Sequence, residues 1–155
     1  MSVRLTSPAF NDGESIPARF TCDAENVSPP LEWKGVPKAA KSLALICDDP
    51  DAPVGTWVHW VFYDLSPKFL ELPEGISPGE VTPQGAKQGI NDFRRSGYGG
   101  PCPPPGAPHR YFFKLYALDI EPGLPAGATK ADLLRALEGH VLEEAQLVGL
   151  YQRRR

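Results

Sequence analysis

The chain has 155 residues, 41% of them hydrophobic and 23% charged, with a formal net charge of −3. That length and balance predict one globular domain, residues 1–155, with a sizeable core. They exclude a generally basic nucleic-acid surface, and no apolar stretch approaches the roughly 20 residues that a membrane-spanning helix needs.

Eighteen prolines and 15 glycines are spread along the chain rather than gathered in one linker. Such punctuation breaks helices and supplies turns. The runs between the breaks are β-branched, aromatic and aliphatic, which predicts an all-β sandwich or barrel. The first candidate strand is residues 3–6. It lies so near Met1 that no signal-peptide core precedes it, and a cytoplasmic protein is expected. The cysteines agree with that placement: Cys22, Cys47 and Cys102 are odd in number and far apart, with no C-x-x-C pair. Free thiols are favoured over a Cys22–Cys102 disulfide or a three-cysteine metal site, and Cys47 reads as buried and inert.

The second strand, residues 43–47, runs into Asp48-Asp49-Pro50-Asp51-Ala52-Pro53. Three carboxylates at a strand end repel one another unless cations or hydrogen bonds compensate them. Two prolines stiffen the turn, and Ala52-Pro53 is a candidate cis peptide. Residues 57–65 form a third strand. Strict alternation puts Trp57, His59, Val61, Tyr63 and Leu65 on one face and Val58, Trp60, Phe62 and Asp64 on the other. Both faces are apolar, as in a strand covered on both sides. His59 alone therefore reads as a core histidine bonded to a backbone carbonyl, since a buried imidazole must find partners.

Ser96-Gly97-Tyr98-Gly99-Gly100-Pro101-Cys102 opens a Gly/Pro loop that reaches Pro108. Its amides are unobstructed at three glycines and could line an anion site. No G-K-[ST] follows and no G-x-S-x-G occurs, so a nucleotide loop and an α/β-hydrolase serine are both unsupported. The fourth strand, residues 111–119, is entered through His109-Arg110. His109, Tyr111, Phe113 and Leu115 share a face, with imidazole and phenol side by side, while Arg110, Phe112, Lys114 and Tyr116 take the other. Thr129 and Asp132 form a capping-box pattern for a helix that Gly139 ends. In residues 144–152 the period-2 set Ala145, Leu147, Gly149 and Tyr151 predicts a last strand, with a continued helix as the alternative. Gln152-Arg153-Arg154-Arg155 reads as a solvated basic tail.

Taken in order, these segments resemble the phosphatidylethanolamine-binding protein family, also known as Raf kinase inhibitor-like proteins. The matching pieces are D-P-D-A-P at 49–53, W-V-H-W at 57–60, G-Y-G-G-P-C-P-P at 97–104 and H-R-Y at 109–111. The segment N-V-S-P-P-L-E-W at 26–33 and the closing E-A-Q-L-V-G-L-Y at 144–151 extend the resemblance over nearly the whole chain. Only residues 54–58 separate the acidic turn from the histidine, and no C-terminal helix follows, so the chain is similar to the short bacterial and archaeal branch.

The resemblance implies a Greek-key sandwich of antiparallel sheets with one or two short helices and a small anion pocket at one end. Its ligand-binding residues would be Asp49, Asp51, Pro53, His59, His109 and Tyr111, with the backbone of Gly99, Gly100 and Pro101 beside them. It implies a non-catalytic protein without cofactor or metal that binds phosphate-like or phosphorylated head groups. A kinase-like protein partner and a homodimer follow from the same likeness. The residues themselves leave one alternative open: a metal-dependent or acid–base hydrolase built on Asp49, Asp51, His59 and His109. If an imidazolium is the donor to the anion, binding should weaken as pH rises past neutrality, because an ordinary histidine titrates near ~6.5.

Overall fold

A computed structural model describes residues 2–153. Among these residues eight strands form two antiparallel sheets. Strands β1 (Arg4–Thr6), β2 (Leu31–Lys34) and β5 (Glu71–Leu72) make a three-stranded sheet in the order β1-β2-β5. Strands β3 (Ser42–Asp49), β4 (Trp57–Leu65), β6 (Lys87–Gln88), β7 (His109–Leu118) and β8 (Val141–Tyr151) make a five-stranded one in the order β6-β4-β3-β7-β8. Helix α1 (Lys130–Leu137) and a 3₁₀ turn at Ala18–Phe20 complete the fold. The expected all-β architecture with one or two short helices is what the chain adopts.

Two apolar layers explain why the five-stranded sheet reads as near-continuous hydrophobic sequence. One face packs on the smaller sheet: Leu5, Leu31, Trp33 and Leu72 meet Leu45, Trp60, Phe62, Phe113, Leu115 and Leu147. The other face carries Ala44, Ile46, Val61, Tyr63 and Leu118, covered by Leu133 and Leu137 of α1. Each such side chain is worth about 1.5–3 kcal/mol when fully buried. Strand β3 lies between β4 and β7 and is buried at all eight positions, the pattern of a central strand covered on both faces.

The helix begins as its sequence dictates. The Thr129 side chain accepts from Asp132 N and the Asp132 side chain accepts from Thr129 N, and Gly139 turns the chain out at φ 77°. Strand β8 starts at Val141, three residues before the expected boundary, because β7 offers it partners as far as Leu118. The strands β2, β5 and β6 were not among those expected; pieces of two to four residues carry too little periodicity to register.

Four expectations need correction. Strand β4 does not alternate strictly: its sandwich side carries Trp57, His59, Trp60, Phe62 and Leu65, while Val58, Val61 and Tyr63 face the helix side. Cys22 and Cys102 are not free thiols but form a disulfide, which removes the cysteine argument for a reducing compartment; Cys47 alone is free, and it is buried. Arg153 is no solvated tail residue, since it pairs with Asp23 at 3.1 Å; Arg154 and Arg155 lie outside the described residues. No cis peptide occurs among the described residues, Ala52-Pro53 included. No helix among them is long and apolar enough to cross a membrane.

Candidate functional site

The ends of β3, β4 and β7 meet at one edge of the sandwich and enclose a pocket of about 220 Å³. Its polar lining is Asp49, His59, His109 and Tyr111, from three neighbouring strands. What brings His59 there is a β-bulge. Cys47 pairs with Trp60, but Asp48 pairs with Val58, so His59 is the extra residue. A bulge turns two successive side chains toward the same side of the sheet. His59 and Trp60 both point inward, and Val61 and Tyr63 fall on the helix side. Without the bulge His59 and Tyr111 could not meet; with it their rings stand edge to face at 5.2 Å.

Both imidazoles and the carboxylate of the floor have defined partners. Nδ1 of His109 lies 2.7 Å from Asp49 Oδ2. A carboxylate only accepts, so Nδ1 carries the proton and Nε2 is left for a ligand. Nδ1 of His59 lies 2.6 Å from the Gly99 carbonyl and donates to it, which leaves Nε2 of this ring in the same position. Burial holds the His59 pKa below its ordinary 6.5, the Gly99 carbonyl opposing only in part, so His59 is a neutral imidazole with an accepting Nε2. Tyr111 is fully buried, and burial followed by the Asp49 charge pushes its phenol well up. It stays protonated. The rings of His109 and Tyr111 lie stacked at 6.4 Å, side by side as the i, i+2 spacing requires.

The three neighbouring carboxylates are compensated one by one. Asp48 takes Lys130 Nζ of α1 at 2.6 Å, Asp49 takes His109, and Asp51 takes Arg110 through Nε, Nη2 and the backbone N–H at 2.8–2.9 Å. Asp49 Oδ1 also accepts the Asp51 N–H at 2.7 Å, closing the turn. The Asp51–Arg110 bonds hold the Asp51 carboxyl down at about 2. Asp51 thus braces the residue beside His109 rather than lining the pocket.

The remaining wall is apolar: Ala52, Pro53, Val54, Trp57, Phe93, Cys102, Pro103 and Pro104. Of the nine expected ligand residues, Asp49, Pro53, His59, His109 and Tyr111 line this pocket. Gly99 and Gly100 instead border an adjoining hollow of about 350 Å³, and their amides are already spent. Gly99 N–H donates to the His59 carbonyl and Gly100 N–H to Asn26 Oδ1. Their lack of a side chain serves packing: a Cβ on Gly99 would come within 2.5 Å of the Phe93 ring, and one on Gly100 within 2.3 Å of the Phe20 carbonyl. Pro101 is buried, its carbonyl accepting from Cys22 N–H.

Sequence reasoning missed Phe93, Lys130 and the proline wall. Phe93 sits on a turn built by Asn91, whose Oδ1 accepts from the Phe93 and Arg95 amides, and the Asn91-Asp92 pair is a turn signal that could have flagged it. No group of three His, Cys, Asp or Glu side chains among the described residues is placed to hold a metal ion.

Comparison with known proteins bears on the family and the fold. The profile described as phosphatidylethanolamine-binding protein matches residues 6–152. A UPF0098 protein of Methanothermobacter thermautotrophicus is 56% identical over 151 residues, covering 97% of this chain and 99% of its own length. The crystal structure of CT736 from Chlamydia trachomatis, a phosphatidylethanolamine-binding protein homolog, superposes with a TM-score of 0.88 at 42% identity, covering 98% of both chains. Escherichia coli YbcL, described as a member of the mammalian family, reaches 0.90 at 31% identity over 99% of both chains. The chain belongs to the phosphatidylethanolamine-binding protein family.

Proposed function

We propose that this chain is a one-domain, non-catalytic binding protein whose pocket takes the phosphate of a small phosphorylated group. The observation that carries the reading is the pair of imidazoles at one hollow, each engaged through Nδ1 and each with Nε2 left for a ligand. His109 already meets Asp49 through Nδ1–H, and a second proton on the ring would make Nε2–H a donor beside that carboxylate. His59, kept neutral by burial, offers an Nε2 acceptor. A phosphomonoester carrying one proton is complementary to both, since an anionic oxygen accepts from His109 and the P–OH donates to His59. Charge-assisted bonds of this kind are roughly twice as strong as neutral ones. The apolar upper wall, Val54, Trp57, Phe93 and Pro103, suits the carbon group that bears the phosphate.

The same chemistry would accept a phosphorylated side chain of a protein partner, a kinase among them, and a cytoplasmic location fits such a role. Titration calorimetry with inorganic phosphate, phosphoethanolamine and a phosphoserine peptide tests the reading on wild type, Asp49→Asn and His109→Ala. We expect binding to wild type and a shared loss in both variants. Equal affinity in all three proteins would sink it. Phosphate release from phosphoethanolamine by wild type but not by His109→Ala would favour the hydrolase instead.

A further inference from the structure

The disulfide between Cys22 and Cys102 stands beside the pocket and plays no part in the chemistry above. Cys102 is exposed and borders both hollows, and Cys22 is half-buried. The segment that Cys102 anchors is unusual: five of its eight residues, 101–108, are proline. Proline has no N–H to give a ladder. Between Cys102 and Gly106 the next three residues are all proline, so no backbone amide there can donate. The tie on this stretch is covalent, and the stretch supplies the pocket wall at Pro103 and Pro104. Upstream, three residues away, Gly99 holds the His59 ring in place.

The two sulfurs differ in surroundings. The Arg153 guanidinium lies 3.7 Å from Cys102 Sγ. Cys22 is followed by Asp23, whose carboxylate takes both Arg153 and the Tyr151 hydroxyl. A cation beside one sulfur favours its thiolate, and the better leaving thiolate departs faster in exchange. Cys47, by contrast, is buried and its thiol is pushed well up by burial, so it takes no part.

We propose that Cys22–Cys102 is an exchangeable disulfide, a thiol-modification site at which a dithiol loosens the proline wall and the Gly99 support of His59. The incoming thiolate bonds to Cys22 Sγ, the Cys22–Cys102 bond breaks, and its electron pair leaves on Cys102 Sγ beside Arg153. The second thiolate of the reductant then attacks its own sulfur in the mixed disulfide and expels Cys22, which takes up a proton. The dithiol is oxidised to a disulfide and the protein gains two thiols. The consequence for phosphate rests on the proposed function; the change at His59 does not.

The test uses the full chain, dithiothreitol as the dithiol and a brief iodoacetamide pulse read by mass spectrometry. Cys22 and Cys102 should become labelled under conditions that keep the fold, Cys102 first, with Cys47 protected. Arg153→Gln, which keeps the disulfide, should slow Cys102 labelling by roughly threefold or more once the cation is gone. In parallel, reduction should shift the His59 ring nitrogen and the Gly99 and Gly100 amide resonances, and Cys102→Ser should reproduce those shifts. Should that variant fold poorly, reduced wild type gives the same reading. Phosphate affinity should fall on reduction. If neither form binds phosphate but the His59 signals move, the pocket reading fails and the switch stands. A disulfide that resists dithiothreitol in the folded chain, or one that opens without moving His59 or Gly99, overturns the proposal.

Discussion

The floor and the wall of the pocket are built by different means. Asp49, His59, His109 and Tyr111 sit on β3, β4 and β7, whose ladders fix them with respect to one another. Apart from Trp57 at the start of β4, the wall comes from three connections, residues 50–56, 91–96 and 101–108, held by side-chain bonds and one disulfide. A rigid constellation on strands with adaptable walls on loops is a common division of labour in binding sites. Floor changes should cost stability and binding together, whereas wall changes should alter binding more than folding.

The largest effect separates them directly. Tyr111 is 1% exposed and belongs to the main core, and Phe93 on the wall is 37% exposed. Tyr111→Ala should cost about 3–5 kcal/mol, as for other large-to-small aromatic changes in a core. Phe93→Ala loses edge contacts to Trp57 and His59 at 5.6 and 5.3 Å, so about 1 kcal/mol is expected. Urea denaturation measures both. Equal costs would show that the wall is as much core as the floor.

The wall has one exception, and it is the next effect in size. The Cys22–Cys102 bond spans 80 residues. Replacing both cysteines by serine releases that loop in the unfolded chain and should cost about 2–4 kcal/mol. A change below ~0.5 kcal/mol in the same denaturation experiment would mean that the loop hydrogen bonds suffice without it.

These contrasts follow the line between what the sequence made legible and what it did not. Period-2 patterning located β4 and β7 within two residues of their ends, and it placed His109 beside Tyr111 correctly, because β7 alternates without interruption over that stretch. It grouped His59 with Val61 and Tyr63 instead of Trp60, because a bulge is a property of two strands in register and has no signature in one. The far end of β4 repeats the lesson. Leu43 pairs with Leu65 but Leu45 with Phe62, and Asp64 sits in a left-handed conformation at φ 59°. That second bulge returns Leu65 to the inner core. The glycines of the loop were visible, but their purpose was not: a tight approach to Phe93 and Phe20 depends on residues far off in sequence. The disulfide was named but ranked below free thiols for the same reason. Cys22 and Cys102 lie far apart in the chain, and their closeness, Cα atoms 5.4 Å apart, exists only in the fold.

A smaller effect tests the floor from another side. Because burial lowers the His59 pKa in the folded chain, the unfolded chain takes up its proton first as pH falls. The contribution of neutral His59 is complete above the ordinary value of 6.5 and declines as pH drops through it toward the folded value. Wild type should therefore lose stability across that window, and His59→Gln should lose less over the same range. Identical slopes for the two proteins would mean that His59 is more solvated than its place beneath Phe93 and Tyr111 implies.

The smallest effect belongs to the rim. Asp51 and Arg110 make a bidentate pair, but their side chains are 29% and 53% exposed. Solvent screening leaves such exposed pairs worth little. The Asp51 carboxyl, held at about 2 by Arg110 against an ordinary 3.8, adds its share fully above the ordinary value and loses it as pH falls toward the lower one. Asp51→Asn should barely change the denaturation midpoint at neutral pH, and it should remove part of the stability loss below pH ~4. Its sharper consequence is at the floor. Asp51 also fixes the Arg110 backbone N–H at 2.9 Å, next to His109. Asp51→Asn keeps one accepting oxygen for that bond, while Asp51→Ala leaves none. If phosphate affinity falls with Ala but survives with Asn, the rim carboxylate positions His109 through the backbone, and its charge is incidental to the pocket.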